Sequence, residues 1–402
     1  MKTVAIISEY NPFHNGHLYQ IEKVREHFGD DTAIIAIMSS NFTQRGDVAI
    51  MDKWARAESA VRCGVNLVLE LPFPYSMSSA EFFAKAGVHI ADSIGVVDVI
   101  AFGSESGDIT LLWETARNLS SRELDKEIAR LAADCDNLGY AEIREKAYEN
   151  VYGTTPPIST SNNILAVEYI KAIHALNSAI IPFTIKRTGA EYNEESVTSG
   201  NIQSATAIRN LFSQKSDSAH SFVPKDVFDC ILNEQSKGAF PCNGEALFPA
   251  VATSFTLNFT TDECNVHDVG GGLYNRLKNK CLEATSINSL VELTSTKKYT
   301  TARIKRGIWY SLLGVTSSDV KALPEYTQVL AMDKTGQTLL KRIKKSSNLS
   351  VLTKPSDTPC SPIAAKQKEL SDRADAISQI AKPTPAPAGS IYKRTPFVKK
   401  DV

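Results

Sequence analysis

Two histidines lie three residues apart in a polar segment, residues 9–17 (EYNPFHNGH), which follows the first apolar run of the chain. Side chains three positions apart at the start of a helix share one face. Gly16 allows a ligand to approach the backbone closely, and a helix N-terminus favours phosphate. Imidazoles can donate hydrogen bonds to phosphoryl oxygens as negative charge builds up there. The spacing predicts His14 and His17 as catalytic residues of a phosphate-handling site.

Two other interpretations of this turn stay open. The histidines would be ordinary surface residues, or they would bind a metal ion. Zinc-binding pairs on a helix usually lie four residues apart and need a third ligand, so we name no metal ligand in this chain.

A second anion-binding pattern lies far downstream, at residues 203–209 (QSATAIR). Ser204 and Thr206 place two hydroxyls on the first turn of a predicted helix. Arg209 follows on the next turn and can hold a phosphate with two hydrogen bonds. The simpler interpretation is a helix N-cap followed by a surface arginine. Together with the histidine turn, the pattern predicts Arg209 as a third catalytic residue, with Ser204 and Thr206 contacting ATP phosphates.

Polar and basic residues also follow the second predicted strand, at the carboxyl edge of the sheet, where doubly wound folds bind ligands. Gln44, Arg45 and Lys53 are candidates for binding a small carboxylate or a phosphate. A lysine or arginine on an amphipathic helix is more often a solvated charge, and this alternative applies to Lys53 and Arg56.

The candidate site residues need a scaffold to bring them together. The first 190 residues show the sequence pattern of such a scaffold. Short, continuously apolar runs alternate with amphipathic stretches, which predicts an α/β fold with a doubly wound parallel sheet covered on both faces. Helical patterns near 108–118, 121–134, 140–150 and 161–176 precede the last of these strands. The predicted strands are Val4–Ser8, Ala33–Met38, Leu67–Glu70, Val97–Phe102 and Ala179–Ile185.

The rest of the chain predicts two further parts. We expect a doubly wound, Rossmann-type, ATP-binding domain at 1–215, a mainly helical domain at 216–323, and a small α/β appendage with a basic, proline-containing tail at 324–402. The appendage contains predicted strands at Gln328–Met332 and Ser350–Thr353.

Basic charge is concentrated in two places that suit RNA phosphates. Residues 341–402 carry 13 Lys and Arg against 5 Asp and Glu, whereas the whole chain has a net charge of −1. The alternative for this segment is a solubilising tail. A basic helix supplies the candidate RNA contacts Lys298, Arg303, Lys305 and Arg306. The aromatic residues beside this cluster are expected in the core.

Bulk composition narrows the class of protein. No apolar run approaches the roughly 20 residues needed to cross a bilayer. Seven scattered cysteines form no CxxC pair and no metal-ligand spacing, which is typical of free thiols in a reducing compartment. We therefore expect a cytoplasmic protein that does not contact a membrane. The sequence does not indicate the oligomeric state.

Eight motifs in order carry a resemblance to a known family. The HxGH turn and the 204–209 segment resemble signatures of the nucleotidyltransferase superfamily that is related to class I aminoacyl-tRNA synthetases. From residue 1 to about 320 the chain resembles the bacterial tRNA-Met cytidine acetate ligases. The motifs are Glu9–His17, Asn41–Gly46, Asp52–Ala57, Leu69–Pro72, Phe102–Glu105, Asn162–Leu165, Arg187–Tyr192 and Lys298–Arg306.

The resemblance implies a two-step reaction. Acetate attacks the α-phosphate of ATP to form acetyl-adenylate, and the acetyl group then passes to the wobble cytidine of elongator tRNA-Met, giving N4-acetylcytidine. It also implies ATP contacts at Gly103, Arg187 and either Asn162 or Asn163. The implied contacts of the first segment are Ile7, Ser8, Glu9, Tyr10, Asn11, Pro12, Phe13, His14, Asn15, Gly16, His17, Leu18, Tyr19 and Gln20.

Two other functions would share some of these features. A small-molecule nucleotidyltransferase that adenylates a phosphorylated cofactor precursor would share the histidine turn, but it would not need about 200 further residues. A non-catalytic RNA-binding protein would not need both anion-binding patterns. ATP is expected as a substrate accompanied by Mg²⁺ held mainly through phosphate oxygens and water, with no prosthetic group. No residue stands out as a general base for acetyl transfer.

Overall fold

The computed structural model describes residues 1–134, 140–156, 160–187, 203–214, 216–257 and 265–400. The strands are β1 (Thr3–Ser8), β2 (Ala33–Ser39), β3 (Leu67–Leu71), β4 (Val99–Ser104), β5 (Ile181–Lys186), β6 (Tyr326–Met332), β7 (Ser350–Leu352) and β8 (Phe397–Val398). The helices are α1 (Asn15–Phe28), α2 (Lys53–Arg62), α3 (Ala80–Ser93), α4 (Ile109–Leu119), α5 (Arg122–Asp134), α6 (Tyr140–Tyr152), α7 (Ser161–Ala175), α8 (Ala205–Ser213), α9 (Lys225–Ser236), α10 (Phe248–Thr256), α11 (Leu273–Cys281), α12 (Ile287–Thr294), α13 (Thr301–Leu313), α14 (Ser317–Lys321), α15 (Lys334–Ser346) and α16 (Pro362–Ser378).

The five N-terminal strands form the parallel part of one sheet in the order β5-β4-β1-β2-β3. The chain moves outward from β1 to β3 and then returns to place β4 on the other side of β1. The carboxyl ends of β1 and β4 therefore flank the point where the strand order reverses. Ligands bind at such switch points in open α/β sheets.

Helices cover both faces of this sheet because its strands are apolar on both sides. One core contains residues of α3, α4, α7 and α15 against alternate residues of the strands. The other contains residues of α1, α2, α8 and α9 against the remaining strand residues. The predicted doubly wound fold is confirmed, and each of the five predicted strands occurs within about two residues of its expected bounds.

The C-terminal segment extends the main sheet. β6 pairs with β3 in antiparallel orientation, and β7 and β8 pair with β6 in parallel. The strands of the expected appendage are thus present, but they continue the N-terminal sheet. The boundaries at 215 and 323 remain predictions.

The helical region between these parts has its own core, built from α10 to α13 with part of α16. Phe42, which follows β2, and Phe73 and Met77, which follow β3, lie in the same core. The helical region is therefore packed against loops at the carboxyl edge of the sheet. Helices α10, α12, α14 and α16 were not predicted from the sequence.

None of the helices in the described ranges is long and apolar enough to span a membrane. The cysteines within those ranges, residues 63, 230, 242, 281 and 360, are free thiols. Cys135 and Cys264 lie outside the described residues.

Candidate active site

A cleft with a volume of about 280 Å³ opens at the switch point, between the carboxyl ends of β1 and β4. Residues from β1, α1, the loop after β2, β4, α7 and the start of α8 line it. The predicted site residues that line the cleft are Ile7, Ser8, Glu9, Tyr10, Asn11, His14, His17, Gln20, Gln44, Arg45, Gly103, Asn162 and Arg187. The two distant motifs, residues 7–20 and 203–209, thus meet at one place, since Ala205 also lines the cleft.

The histidine turn begins helix α1, with His14 as its N-cap. The Gly16 N–H donates to His14 Nδ1 at 3.1 Å, and the His14 N–H donates to His17 Nδ1 at 3.2 Å. The two rings stack with centroids 3.7 Å apart. A neutral imidazole that accepts a hydrogen bond at Nδ1 carries its proton at Nε2. Both side chains therefore offer an Nε2–H donor.

Burial and nearby cations keep these imidazoles neutral. Burial, together with the charges of Arg187 and Arg209, lowers the pKa of His14 to about 3. Burial, His14 and Arg187 likewise lower the pKa of His17 well below its usual value. A depressed histidine pKa favours the uncharged form at neutral pH. The two uncharged imidazoles of the turn can thus donate hydrogen bonds to phosphoryl oxygens as negative charge develops on them.

The second anion-binding segment is held to the first by hydrogen bonds. Ser204 caps α8, its Oγ accepting from the Ala207 N–H at 3.0 Å. Arg209 Nη1 donates to the Asn11 carbonyl and Nη2 donates to Thr206 Oγ1, each at 3.0 Å. The structure therefore shows the N-cap expected from the simpler interpretation, and it places the arginine beside the histidine turn. Contact of Ser204, Thr206 and Arg209 with phosphate stays a prediction.

A carboxylate that the sequence analysis did not assign to the site orders one wall of the cleft. Glu105 follows β4 and accepts hydrogen bonds from Asn162 Nδ2 at 2.6 Å, the Asn163 N–H at 2.8 Å and Thr160 Oγ1 at 2.7 Å. Asn163 Oδ1 accepts in return from the Glu105 N–H at 3.0 Å. Asn163 is therefore used to join α7 to β4, whereas Asn162 lines the cleft. The FGSE motif carried the only sequence signal for Glu105.

Gly103 at the end of β4 allows another side chain to lie across the strand. A Cβ at this position would lie 3.2 Å from Arg187 Cγ, which is tighter than an ordinary contact. The group that lies close to Gly103 in this structure is the Arg187 side chain. Arg187 also lines the cleft.

The loop after β2 brings Gln44 and Arg45 into the cleft. The Gln44 N–H donates to Glu9 Oε1 at 2.9 Å, and its side-chain amide donates to the Ser78 carbonyl at 3.1 Å. Arg45 Nη2 donates to Ser161 Oγ at 2.7 Å, at the start of α7. These two of the three acetate or phosphate candidates therefore lie at the site.

Lys53 lies outside the cleft. It is only 3% exposed, and its Nζ is 2.6 Å from Glu70 Oε1 and 2.5 Å from Asp375 Oδ2. This position does not support its predicted role in binding acetate or phosphate. Nor is it the solvated charge of the alternative interpretation, because both carboxylates are buried with it.

Arg56 is buried and acts on the backbone around the site. Its guanidinium donates to the carbonyls of Glu9, Ser39, Ser40 and Met51. These carbonyls end β1 and β2 or precede α2. Arg56 thereby fixes the position of the chain at the carboxyl ends of β1 and β2, next to the cleft.

The candidate tRNA residues on and before α13 mostly have partners within the protein. Arg306 Nη2 lies 2.7 Å from Asp268 Oδ2, and Arg303 Nε lies 3.2 Å from Asp268 Oδ1. Lys305 Nζ lies 2.6 Å from Asp47 Oδ1. Compensated charges attract polyanions less strongly, so this finding weakens the tRNA prediction for these three residues. Lys298 is exposed and donates to the Gly271 carbonyl at 3.2 Å.

The same helix holds the Gln44–Arg45 loop. Trp309 Nε1 donates to the Gly46 carbonyl at 2.6 Å. A Cβ on Gly46 would lie 2.7 Å from Lys305 Cβ and 2.8 Å from Arg306 N, and Gly46 has a φ of +82°. Only glycine fits such a close approach at a positive φ without strain. The aromatic residues Trp309, Tyr310 and Tyr299 are buried, as predicted.

Apolar residues complete the cleft, and the sequence analysis missed them. Phe83, Phe102, Leu165 and Tyr169 line it from α3, β4 and α7. Phe102 and Leu165 lie within the Phe102–Glu105 and Asn162–Leu165 motifs but were not assigned to the site, and Phe83 and Tyr169 have the spacing of ordinary core residues. Such a wall is suited to a flat aromatic base.

Comparisons with known proteins agree with this site. A family model described as HIGH Nucleotidyl Transferase matches residues 1–390. The tRNA(Met) cytidine acetate ligase of Acetivibrio thermocellus is 39% identical over 388 residues, which cover 92% of each chain. The tRNA(Met) cytidine acetate ligase of Clostridium tetani is 37% identical over 369 residues, covering 88% of this chain and 90% of that protein.

Solved structures extend the similarity to the whole fold. Apo TmcAL from Thermotoga maritima matches with a TM-score of 0.92 and 31% identity over 100% of both chains. The same protein bound with alpha-thio ATP matches with a TM-score of 0.90 and 30% identity. The chain therefore belongs to the HIGH nucleotidyl transferase family and, within it, to the tRNA(Met) cytidine acetate ligases.

Proposed function

We propose that this chain is an ATP-dependent ligase that acetylates the wobble cytidine of elongator tRNA-Met. It uses acetate, forms acetyl-adenylate and leaves N4-acetylcytidine. One observation carries the proposal: the switch-point cleft is lined by the His14–His17 turn with two neutral Nε2–H donors, in a chain similar over its length to tRNA(Met) cytidine acetate ligases.

The first step needs positioning and charge stabilisation rather than proton removal. Acetate is already a nucleophile, and its attack on the α-phosphate of ATP expels pyrophosphate. Neutral donors fixed before the reaction stabilise the charge that grows on the phosphoryl oxygens. His14 and His17 supply such donors, and Arg209 adds a fixed positive charge beside them. Mg²⁺ enters with ATP, bound by its phosphates and by water.

Two cations in the cleft suit the attacking carboxylate. Arg45 and Arg187 both line it, and Arg45 is oriented by its bond to Ser161. A guanidinium can hold a carboxylate through two parallel hydrogen bonds. We assign acetate to this side of the cleft, with adenine against the wall formed by Phe83, Phe102 and Tyr169.

The tRNA needs a basic surface, and α15 offers one. Lys341, Arg342, Lys344 and Lys345 are exposed on this helix, and they form no ion pair with another described residue. Uncompensated lysines and arginines attract RNA phosphates, and the attraction weakens with salt. We place part of the tRNA contact here and at Lys298. An enzyme acting on tRNA would work in the cytoplasm.

Adenylation of a phosphorylated cofactor precursor is not favoured, because the relatives that match nearly the whole chain are tRNA(Met) cytidine acetate ligases. The decisive measurement is exchange of labelled pyrophosphate into ATP, without tRNA, across a panel of small carboxylic acids. We expect exchange that depends on acetate, followed by N4-acetylcytidine in elongator tRNA-Met when tRNA is added. Exchange driven by a phosphorylated nucleotide precursor instead of a carboxylate would overturn the proposal.

A further inference from the structure

We propose that Glu9 is the general base of the acetyl-transfer step, accepting the proton that the exocyclic amine of the cytidine loses. This inference rests on the proposed function. It adds to that function a proton-accepting role for Glu9, for which the family resemblance implies only a contact with ATP.

Glu9 directly follows the carboxyl end of β1, and hydrogen bonds fix both its backbone and its side chain. Its carbonyl oxygen accepts from Arg56 Nη1, and its Oε1 accepts from the Gln44 N–H at 2.9 Å. Tyr10, the next residue, has a φ of 47° in the left-handed region, so the chain turns sharply after the glutamate. The side chain lines the cleft, and within the described part of the chain Oε1–Gln44 is its one hydrogen bond. Oε2 is therefore available to a ligand.

The other polar groups at the site are poor proton acceptors. His14 and His17 use Nδ1 to accept backbone N–H groups, so each presents Nε2–H, a donor. Burial raises the pKa of the hydroxyls of Tyr10 and Tyr169, which keeps them protonated. Amide and guanidinium side chains are not bases at neutral pH. Among the described residues that line the cleft, Glu9 is the only carboxylate.

The surroundings tune this carboxyl toward proton transfer. Desolvation in the cleft raises its pKa, and this effect exceeds the lowering by the Gln44 N–H and by Arg209. A carboxylate with a raised pKa is a stronger base than an exposed one. The titratable or charged groups around it are Arg209 on α8, Arg56 on α2, Asp47 in the loop after β2, Tyr169 on α7, and His14, His17, Arg45 and Arg187 lining the cleft.

The chemistry of the second step calls for such a base. The cytidine N4 lone pair attacks the carbonyl carbon of acetyl-adenylate, and a C–N bond forms. The bond from that carbon to the phosphate oxygen breaks, and AMP leaves with the electron pair. The amine nitrogen loses one proton to Glu9 Oε2, which later passes it to water. Because the amine is conjugated with the ring and barely nucleophilic, proton removal must accompany attack.

The first step involves no proton transfer, so the two half-reactions separate the role of Glu9 from a structural one. Glu9→Gln keeps an acceptor for the Gln44 N–H while removing the base. Because Glu9 is also an expected ATP contact, acetate-dependent pyrophosphate exchange is measured at saturating ATP, where it should fall at least tenfold less than transfer. Single-turnover acetyl transfer to tRNA should fall by about 10²–10⁴, the range for loss of a general base. Hydroxylamine, a nucleophile that needs no base, should still trap the acetyl group as the hydroxamate.

The pH dependence gives an independent measurement. A base must be ionised to act, so wild-type transfer should rise with pH through the raised pKa of Glu9 and then level off. The rising limb should disappear in Glu9→Gln, and Glu9→Asp should retain it at a lower rate.

A matched control is Glu105→Gln, which removes the other carboxylate near the cleft. Because Glu105 orients Asn162, this variant should slow exchange and transfer together. Equal losses of both steps in Glu9→Gln, or transfer at the wild-type rate, would overturn the inference. If the wild-type enzyme shows acetate-dependent exchange but acetylates no cytidine, the proposed function fails instead.

Discussion

The histidine turn at 14–17 and the basic segment at 298–306 look alike in the sequence, but the structure uses them differently. Each is a short motif of cationic or titratable residues at the start of a helix, and each predicts contact with phosphates. His14 and His17 line an open cleft, neutral and with donors to offer. Arg303, Lys305 and Arg306 instead form ion pairs with aspartates of the same chain.

The difference shows that a charge motif does not reveal whether its partner is a ligand or the protein itself. Asp47 and Asp268 are distant in sequence from α13 and from each other, and no spacing rule links them. Through the Lys305–Asp47 pair, α13 fixes the loop that supplies Gln44 and Arg45 to the cleft. The helical region therefore supports the loop that lines the proposed nucleotide site.

Lys53 extends the comparison to a fully buried cation and carries the largest expected effect. Lys53→Met removes the partner of Glu70 and Asp375 and leaves two buried carboxylates close together. Breaking one side of a buried ion pair costs about 3–5 kcal/mol. We expect the free energy of unfolding, measured by urea denaturation, to fall by that amount. Lys23→Met, which removes an exposed lysine paired with Glu26, should change stability little. If Lys53→Met is as stable as the wild type but its pyrophosphate exchange no longer depends on acetate, Lys53 binds acetate after all.

The histidines themselves give the next largest effect. His14→Ala and His17→Ala should each lower pyrophosphate exchange by about 10²–10³, the loss typical of one transition-state donor. Thermal unfolding should change far less than activity. His27→Ala, on the exposed end of the same helix α1, is the control and should keep wild-type exchange. Wild-type exchange in the double variant would remove the turn from the site.

Arg306→Ala tests whether α13 supports the cleft or only tRNA. It removes the ion pair with Asp268 and the hydrogen bond from Arg306 Nη1 to the Gln44 carbonyl at 3.5 Å, and it thereby loosens the loop after β2. Misplacing a substrate-positioning group by about 1 Å can cost roughly 10²-fold, so we expect exchange without tRNA to fall by about tenfold or more. Arg306→Lys should recover part of the activity. Normal exchange with weakened tRNA binding would restore the original tRNA assignment of this helix.

Sequence patterns predicted the scaffold well because its signals are local. The strands β1 to β5 are short, continuously apolar runs, and the turn between β1 and α1 carries its own motif. Helix α16 was missed because its buried face includes Gln367, Lys368 and Asp375, which interrupt an apolar periodicity. The buried partners of Lys53 and the choice between Asn162 and Asn163 depend on contacts across the fold, so no local pattern could supply them.

The smallest expected effect is on tRNA affinity, when the basic residues without an acidic partner on α15 and the exposed Lys298 are reversed in charge. Lys341→Glu with Lys345→Glu reverses two exposed charges on α15, whereas Lys298→Glu reverses the exposed charge before α13. Each lost phosphate contact lowers the slope of log affinity against log salt by about one. We expect tRNA affinity at physiological salt to fall roughly three- to tenfold in the α15 double variant and less in Lys298→Glu. Exchange should stay at the wild-type rate in both variants.

The control for the charge reversals is Lys126→Glu, at an exposed lysine on α5. If it weakens tRNA binding as much as the α15 variant, the affinity reflects overall charge and not a docking surface. If Lys298→Glu has the larger effect, the tRNA lies against the helical region. The 298–306 motif then has two roles: its first residue binds RNA, and its later residues support the cleft. Salt titrations of all three variants against Arg306→Ala distinguish these arrangements, because Arg306 should affect exchange and leave the salt slope unchanged.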